Sequence, residues 1–251
     1  VKSLPGAVFG IRAAEDIYTL DGVMHYAKGE IVDTITTGSD GVASSKELYL
    51  GKYEIQEITA PHGMVLNGTI QTVELTYAGQ EVSVTETAGN LYNERQKVKV
   101  SLSKVLEQNE LFGIGMNGEL KNITFGLYAK TDLVAGDGTI IPAGGLIEIV
   151  TFDENGSATV STDLPLGSYY LQERSTDEHY ILDDTHYEFE FSYGSQETQV
   201  VEISVNGGDP IKNDLKYGMV SGRKVDEDGH VIAGAIFGLF RNDENEYTAM
   251  W

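Results

Sequence analysis

The sequence predicts an all-β protein made of tandem β-sandwich domains, and three observations lead to this prediction. Apolar and polar residues alternate over short segments, Asn-Gly and Asp-Gly pairs interrupt the chain at short intervals, and two stretches of sequence recur at one fixed offset. Short strands joined by tight turns produce the first two features, and a duplicated domain produces the third.

The alternation is clearest in residues 98–103, 187–191 and 200–205. Successive side chains of a strand point to opposite faces, so this pattern predicts strands with one face in a core. Glycine adopts positive φ at no steric cost, and it therefore favours hairpin turns after Asn or Asp. The turn pairs end at Gly22, Gly41, Gly68, Gly118, Gly138, Gly156 and Gly229. Strands at this spacing favour a β-sandwich.

The repeat relates residues 48–57 to residues 164–173 at an offset of 116 (Glu57 to Glu173), and the same offset carries Phe9 onto Phe125. A third copy of the early segment lies at 234–239. We therefore expect one domain at 1–97 that lacks its first strand, a complete domain at 98–216, and the N-terminal part of a third domain at 217–251.

Composition excludes several classes of function. The chain has 17 Lys and Arg against 39 Asp and Glu, a net charge of −22, so we expect neither nucleic acid nor an anionic membrane surface as a partner. It has no Cys, which excludes disulfides, thiol nucleophiles and Cys-ligated metals. The five His residues lack metal-ligand spacing, and we expect no metal and no cofactor. No apolar run is long enough to span a membrane.

Several motifs together resemble the Cna protein B-type (SpaA-like, prealbumin-like) domains of Gram-positive adhesins and pilins. The stretch at 53–64 matches the family's Gly-x-Tyr-x-Leu-x-Glu and Ala-Pro-x-Gly-Tyr pattern, with Met64 where Tyr is usual. Residues 224–226 and 233–239 match its Lys-x-Asp and Leu-x-Gly-Ala-x-Phe-x-Leu segments. The second domain departs from the pattern at 176–180 and at 122–123. The resemblance implies Ig-like/prealbumin-like sandwiches in a secreted, cell-wall-anchored protein.

The resemblance also implies an intramolecular isopeptide bond in the second domain, between Lys104 and Asn213 and promoted by Glu173. A lysine amine attacks a carboxamide only when neutral, although its ordinary pKa is about 10.4. Burial lowers the pKa of a lysine and raises that of a carboxylic acid, which can then pass a proton to departing ammonia. Each molecule reacts once, so this is self-modification, and we do not expect an enzyme with a diffusing substrate.

The other two repeats are incomplete. In the first domain Glu57 matches Glu173 and Asn93 matches Asn213, but only Lys2 precedes Phe9, seven residues away, and we predict that Lys2 forms no bond. The third repeat has Lys224 without the Glu and Asn. Its 35 residues cannot bury a core alone, so we expect them to be disordered or to be ordered by pairing with an open sheet edge of a neighbouring molecule.

Two functions follow as alternatives. The first is a structural stalk of a pilin or adhesin, whose partners are neighbouring repeats of the same protein. The second is an adhesin module whose Tyr-rich loops bind a host matrix protein or a glycan. An enzyme would need a separate catalytic domain, for which no segment has room.

Overall fold

The computed structural model describes residues 3–80, 82, 87, 89–238, 240–243 and 246–249. The chain divides into two compact units, residues 1–215 and 216–251. Within the first unit we call residues 3–96 the N-terminal module and residues 97–215 the central module, because each has its own hydrophobic cluster.

The described residues of the N-terminal module form six strands. They are β1 (Val8–Ala13), β2 (Ile17–Tyr18), β3 (Met24–Tyr26), β4 (Ile31–Thr36), β5 (Gly51–Thr59) and β6 (Ile70–Leu75). Four of them make an antiparallel sheet in the order β4-β1-β5-β6, and β2 pairs with β3. Ile17 of β2 lies in the buried cluster of this module together with Ile11, Ala13, Val32 and Tyr53 of the four-stranded sheet.

The described residues of the central module form a two-sheet sandwich with ten strands and two 3-10 helices. They are β7 (Lys97–Leu106), η1 (Glu119–Asn122), β8 (Thr124–Ala129), β9 (Leu133–Val134), β10 (Ile140–Ile141), β11 (Leu146–Thr151), β12 (Ser157–Thr159), β13 (Gly167–Ser175), β14 (Tyr187–Phe191), β15 (Val200–Ser204), η2 (Val205–Gly208) and β16 (Ile211–Asn213). The predicted all-β fold is confirmed, and β7, β14 and β15 lie where the alternating pattern placed strands.

Two sheets face each other across the core of the central module. One has the order β11-β8-β13-β14, and the other has the order β12-β7-β15, with β16 also pairing with β7. Strand β7 therefore lies in the middle of its sheet, and both β15 and β16 run parallel to it. The shared core contains Val100 and Leu102 from one sheet and Phe125, Leu127 and Leu171 from the other.

A buried glutamine fixes the junction between the two modules. Gln96 is fully buried, and its side-chain amide donates hydrogen bonds to the carbonyl oxygens of Ser195 (3.1 Å) and Thr198 (2.8 Å). Its side-chain oxygen accepts one from the Gly194 amide at 2.9 Å. The start of β7 is thus tied to the loop that follows β14.

The same loop also holds the N-terminal module. The side-chain oxygen of Gln196 accepts a 2.9 Å hydrogen bond from the Ala60 amide, and its main-chain oxygen accepts a 2.8 Å bond from the Leu66 amide. Tyr193 donates a 3.0 Å hydrogen bond to the Met64 carbonyl. Both modules are therefore bonded to one loop, residues 192–199.

The second unit contains a hairpin of β17 (Phe240–Asp243) and β18 (Glu246–Ala249). Residues 216–238 are exposed, and an isolated bridge joins Val225 to Val231. No helix in the described part of the chain is both long and apolar enough to cross a membrane.

Candidate cross-linking site

A lysine lies in the row of β7 side chains that points into the core. The inward positions of this strand are Val98, Val100, Leu102 and Lys104, and Lys104 is only 1% exposed. Its Nζ lies 5.4 Å from the centroid of the Phe125 ring. An ammonium ion in such surroundings loses its hydration, so this position needs a compensating group.

Glu173 on β13 supplies that group from the facing sheet. Its Oε1 lies 3.1 Å from Lys104 Nζ, and both side chains are fully inaccessible to solvent. The register places Glu173 beside Phe125 of β8, directly across the core from β7. The alternation of strand β13 explains why this acid points inward, because Tyr169 and Leu171 occupy the two preceding inward positions.

Asn213, the last residue of β16, is the third residue of the site. Its side-chain nitrogen donates a 2.8 Å hydrogen bond to Glu173 Oε2 and another to the carbonyl oxygen of Ile181. Strand β16 pairs with β7 in a register that sets Ile211 beside Lys104, so Asn213 lies on the same inward-facing row. Its Oδ1 is buried and has no hydrogen-bond partner among the residues that the structure describes.

Burial lowers the pKa of Lys104, against the opposing attraction of the Glu173 carboxylate. The neutral amine is consequently easier to reach here than in water. The nearby Asp183 carboxyl has a lowered pKa because hydrogen bonds from Thr185 and Tyr187 outweigh the effect of its burial. The Asp183 amide also donates a 2.7 Å hydrogen bond to Glu173 Oε2.

One carboxylate therefore bridges two nitrogen atoms, that of the amine and that of the carboxamide. Such an arrangement can carry a proton from an attacking amine to a departing ammonia. The three predicted residues of the second domain, Lys104, Glu173 and Asn213, lie together in the structure. The roles of Phe125, Ile181 and Asp183 were missed, because nothing in a single sequence distinguishes them from ordinary core and loop residues.

The N-terminal module contains two of the three residue types of this arrangement, the glutamate and the asparagine. Asn93 donates hydrogen bonds from its side-chain nitrogen to Glu57 Oε2 (2.7 Å) and to the carbonyl oxygen of Val65 (2.9 Å). The Asn67 amide donates to the same Oε2 at 2.7 Å. Asn213, Ile181 and Asp183 stand in the corresponding positions around Glu173.

The lysine position of this second arrangement is not filled by any described residue of the N-terminal module. Glu57 is 3% exposed, and its Oε1 has no hydrogen-bond partner in the described part of the chain. Lys2 lies outside the described residues, so the prediction that it forms no bond stays a prediction. Lys224 is exposed, within the second unit.

Comparison with known proteins gives one match to a family. The SpaA family, described as a prealbumin-like fold domain, matches residues 1–89 and 114–207, well over half of the chain. No curated protein matches the sequence.

Several solved structures are similar to this chain at low sequence identity. The Bacillus anthracis TIE protein is 20% identical with a TM-score of 0.50, and the match covers 92% of this chain and 38% of that protein. This chain thus spans about two fifths of that protein. The minor pilin GBS52 of Streptococcus agalactiae is 16% identical (TM-score 0.33, 88% of each chain). A C-terminal fragment of the pilus adhesin SpaC from Lactobacillus rhamnosus GG is 14% identical (TM-score 0.42, 86% of this chain and 91% of that one).

Proposed function

This chain belongs to the SpaA family of prealbumin-like fold domains, and on that premise we propose that it is a load-bearing stalk segment of a Gram-positive surface protein, stabilised by an isopeptide bond between Lys104 and Asn213. The stalk belongs to a pilin or an adhesin secreted and anchored to the cell wall. Its partners are neighbouring modules of the same protein.

The bridging position of Glu173 carries this proposal. Its Oε1 is 3.1 Å from Lys104 Nζ and its Oε2 is 2.8 Å from Asn213 Nδ2, so the carboxylate touches the nucleophile and the leaving nitrogen at once. Stability alone does not explain this ion pair, because a buried pair often stabilises a protein no more than apolar residues of similar volume do.

The reaction proceeds in three steps. Lys104 gives a proton to Glu173 Oε1, and the neutral amine attacks the side-chain carbonyl carbon of Asn213. A new C–N bond forms between Nζ and that carbon. The bond from the carbon to Nδ2 then breaks as protonated Glu173 gives its proton to Nδ2, which leaves as ammonia. The Glu173 carboxylate takes the extra proton that Nζ still carries after the attack, so the new bond ends as a neutral amide. The folded sandwich holds both reactants in place, which provides the effective concentration that an unactivated amide requires.

The bond would connect the first strand of the central module to its last strand. Tension applied to the ends of the module would then pass through β7, the isopeptide bond and the end of β16, and would bypass the hydrogen bonds of the sheets. The same bond closes a loop of about 110 residues, for which the chain-entropy treatment of disulfides gives roughly 4.7 kcal/mol of stabilisation.

Intact-mass measurement of the purified chain tests this proposal. We expect a mass lower than the sequence mass by one ammonia and a branched peptide joining Lys104 to Asn213 after digestion. Lys104→Met and Glu173→Gln should each restore the full mass, whereas Lys130→Met, which removes an exposed lysine paired with Glu188, should not. A wild-type chain of unmodified mass contradicts the proposal.

A further inference from the structure

A short segment before β14, residues 181–183, contacts two of the three groups that take part in the proposed reaction. The carbonyl oxygen of Ile181 accepts a hydrogen bond from the side-chain nitrogen of Asn213. The main-chain amide of Asp183 donates a 2.7 Å hydrogen bond to Glu173 Oε2. The path of this segment therefore helps to determine where the leaving nitrogen and the acid lie.

The side chain of Asp183 holds the segment through both of its oxygen atoms. Oδ1 accepts a 3.0 Å hydrogen bond from the Thr185 amide, a turn that Asp commonly makes with the residue two positions later. Oδ2 accepts a 2.6 Å hydrogen bond from the Tyr187 hydroxyl. Burial and this hydrogen bond raise the pKa of Tyr187, so the hydroxyl keeps its proton and remains the donor. The Tyr187 ring packs against the core, with its centroid 6.3 Å from that of Phe125, and Asp183 is thereby connected to the sandwich.

The N-terminal module contains the same turn at the offset of the repeat. Asn67 lies 116 positions before Asp183, and its Oδ1 accepts a 2.9 Å hydrogen bond from the Thr69 amide. The Asn67 amide donates a 2.7 Å hydrogen bond to Glu57 Oε2, as the Asp183 amide does to its own glutamate. The acceptor oxygen of the turn is thus common to both modules, whereas the negative charge belongs to Asp183 alone. This comparison indicates that the turn, and not the charge, orients the glutamate.

We propose that Asp183 is a positioning residue for the cross-linking reaction. By holding the turn, its side chain keeps the Asp183 amide on Glu173 Oε2, and so keeps the carboxylate between Lys104 and Asn213. The inference rests on the proposed function, because it concerns the same reaction. Geometry of this kind affects rates strongly, since a displacement of about 1 Å in a reacting group can slow a reaction by about a hundredfold.

The charge of Asp183 has a separate effect in the opposite direction. Burial lowers the pKa of Lys104, whereas the negative charges of Glu173 and Asp183 raise it. Asp183 therefore favours the protonated amine, which cannot attack. Asp183→Asn removes the charge but keeps an oxygen that can accept from the Thr185 amide, as Asn67 does in the other module. Asp183→Ala removes both, so the two variants separate position from charge.

The rate of cross-linking in the full chain tests this inference. The chain is made by cell-free translation, synthesis is stopped, and the loss of ammonia is followed by intact mass between pH 5 and pH 9. Asp183→Ala should react about tenfold more slowly than the wild type, because the hydrogen bonds that hold the segment are lost. Asp183→Asn should react at least as fast as the wild type, with its rate rising at a lower pH. The matched control is Asp137→Ala, which removes the same kind of turn, made with the Thr139 amide, at an exposed site and should react like the wild type.

The outcomes separate the inference from the proposed function. If the wild type forms the Lys104–Asn213 bond and Asp183→Ala forms it equally fast, the inference is overturned while the proposed function stands. If Asp183→Asn is as slow as Asp183→Ala, the turn is not what acts, and the inference is overturned as well. A wild-type chain that never loses ammonia contradicts the proposed function, and the inference fails with it.

A second variant decides the matter if circular dichroism shows that Asp183→Ala does not fold. Tyr187→Phe keeps the ring in the core and removes only the hydroxyl that holds Asp183 Oδ2. We expect it to react several times more slowly than the wild type, because the turn is then held from one side only. A folded Tyr187→Phe chain that reacts at the wild-type rate would overturn the inference in that case.

Discussion

The backbone of Lys104 is held by Gly156. The Lys104 amide donates a 2.7 Å hydrogen bond to the Gly156 carbonyl oxygen, and a Cβ on Gly156 would lie 2.1 Å from the Lys104 carbonyl oxygen. Gly156 also has a φ of +74°, in the left-handed region that favours glycine. The turn that closes on this glycine therefore sets the position of the reactive strand.

Gly156→Ala should displace β7 at Lys104, and so slow the condensation and destabilise the central module. The matched control is Gly138→Ala, in the Asp137-Gly138 turn, with a φ of +90° and no atom within 4 Å of the added carbon. This control should lower the free energy of unfolding by about 1 kcal/mol, from backbone strain alone. If the two variants lose the same free energy of unfolding in urea and contain the same fraction of cross-linked chain, that result would show that contact with Lys104 is unimportant.

Replacing Lys104 should lower the free energy of unfolding far more than replacing a surface lysine. Lys104→Met loses the cross-link, and we expect the free energy of unfolding to fall by about 5 kcal/mol. Lys130→Met breaks an ion pair whose side chains are about half exposed, which should cost less than about 1 kcal/mol. Chemical denaturation of the two variants checks the difference, and comparable losses would remove the argument for a covalent link.

Stability should rise with pH in a chain that cannot form the link. In Asn213→Ala, Lys104 keeps its amine, and burial lowers its pKa below the ordinary 10.5. Between the lowered pKa and 10.5 the unfolded chain binds more protons than the folded chain, so the free energy of unfolding increases with pH in that window. Urea midpoints measured between pH 7 and pH 10 test this. The double variant Asn213→Ala, Lys104→Met should lack this increase.

Several tyrosines, Tyr53 and Tyr169 among them, should lose their protons at an unusually high pH. Burial raises the pKa of Tyr53 and of Tyr169 to about 12, and each hydroxyl donates to a main-chain oxygen four residues earlier, that of Tyr49 and Pro165. A raised folded-state pKa stabilises the fold below pH 10, and this contribution is lost as the pH rises from 10 to 12. The absorbance of tyrosinate should show a fraction that forms only at high pH, and this fraction should shrink in Tyr169→Phe. Ordinary titration of every tyrosine would contradict this.

The junction should loosen when Gln196 is shortened. Gln196→Ala removes the hydrogen bonds to the Ala60 amide and the Ile58 carbonyl, at a cost of about 1 kcal/mol. We expect faster proteolysis between residues 60 and 96 and a broader distance distribution in X-ray scattering. Gln172→Ala, in the central module away from the junction, serves as the control. If the two variants behave alike, loop 192–199 does not restrain the modules.

The sequence was sufficient to predict the fold class, because the strand alternation, the turn pairs and the repeat indicate tandem β-sandwiches. The choice of Lys104, Glu173 and Asn213 came from the resemblance to Cna protein B-type domains, and the structure places these three residues together. The sequence was not sufficient to find Gly156, which looked like any other turn glycine until its distance to Lys104 was known. Gln96 and Gln196 were missed for a similar reason. Glutamine is usually exposed, and only the three-dimensional path of the loop shows that these two are bonded across a module boundary.

The loop that ties the modules has a consequence for how such proteins change over generations. Tyr193 and Gln196, which bind the N-terminal module, come 129 and 136 positions after the residues that they contact, Met64 and Ala60. Recombination that joins residues 3–96 to an unrelated neighbour would remove the hydrogen bonds that Tyr193 and Gln196 make with the N-terminal module. We therefore expect the two modules to be inherited and shuffled as a pair, and hybrid proteins to retain a stiff junction only when both are transferred together.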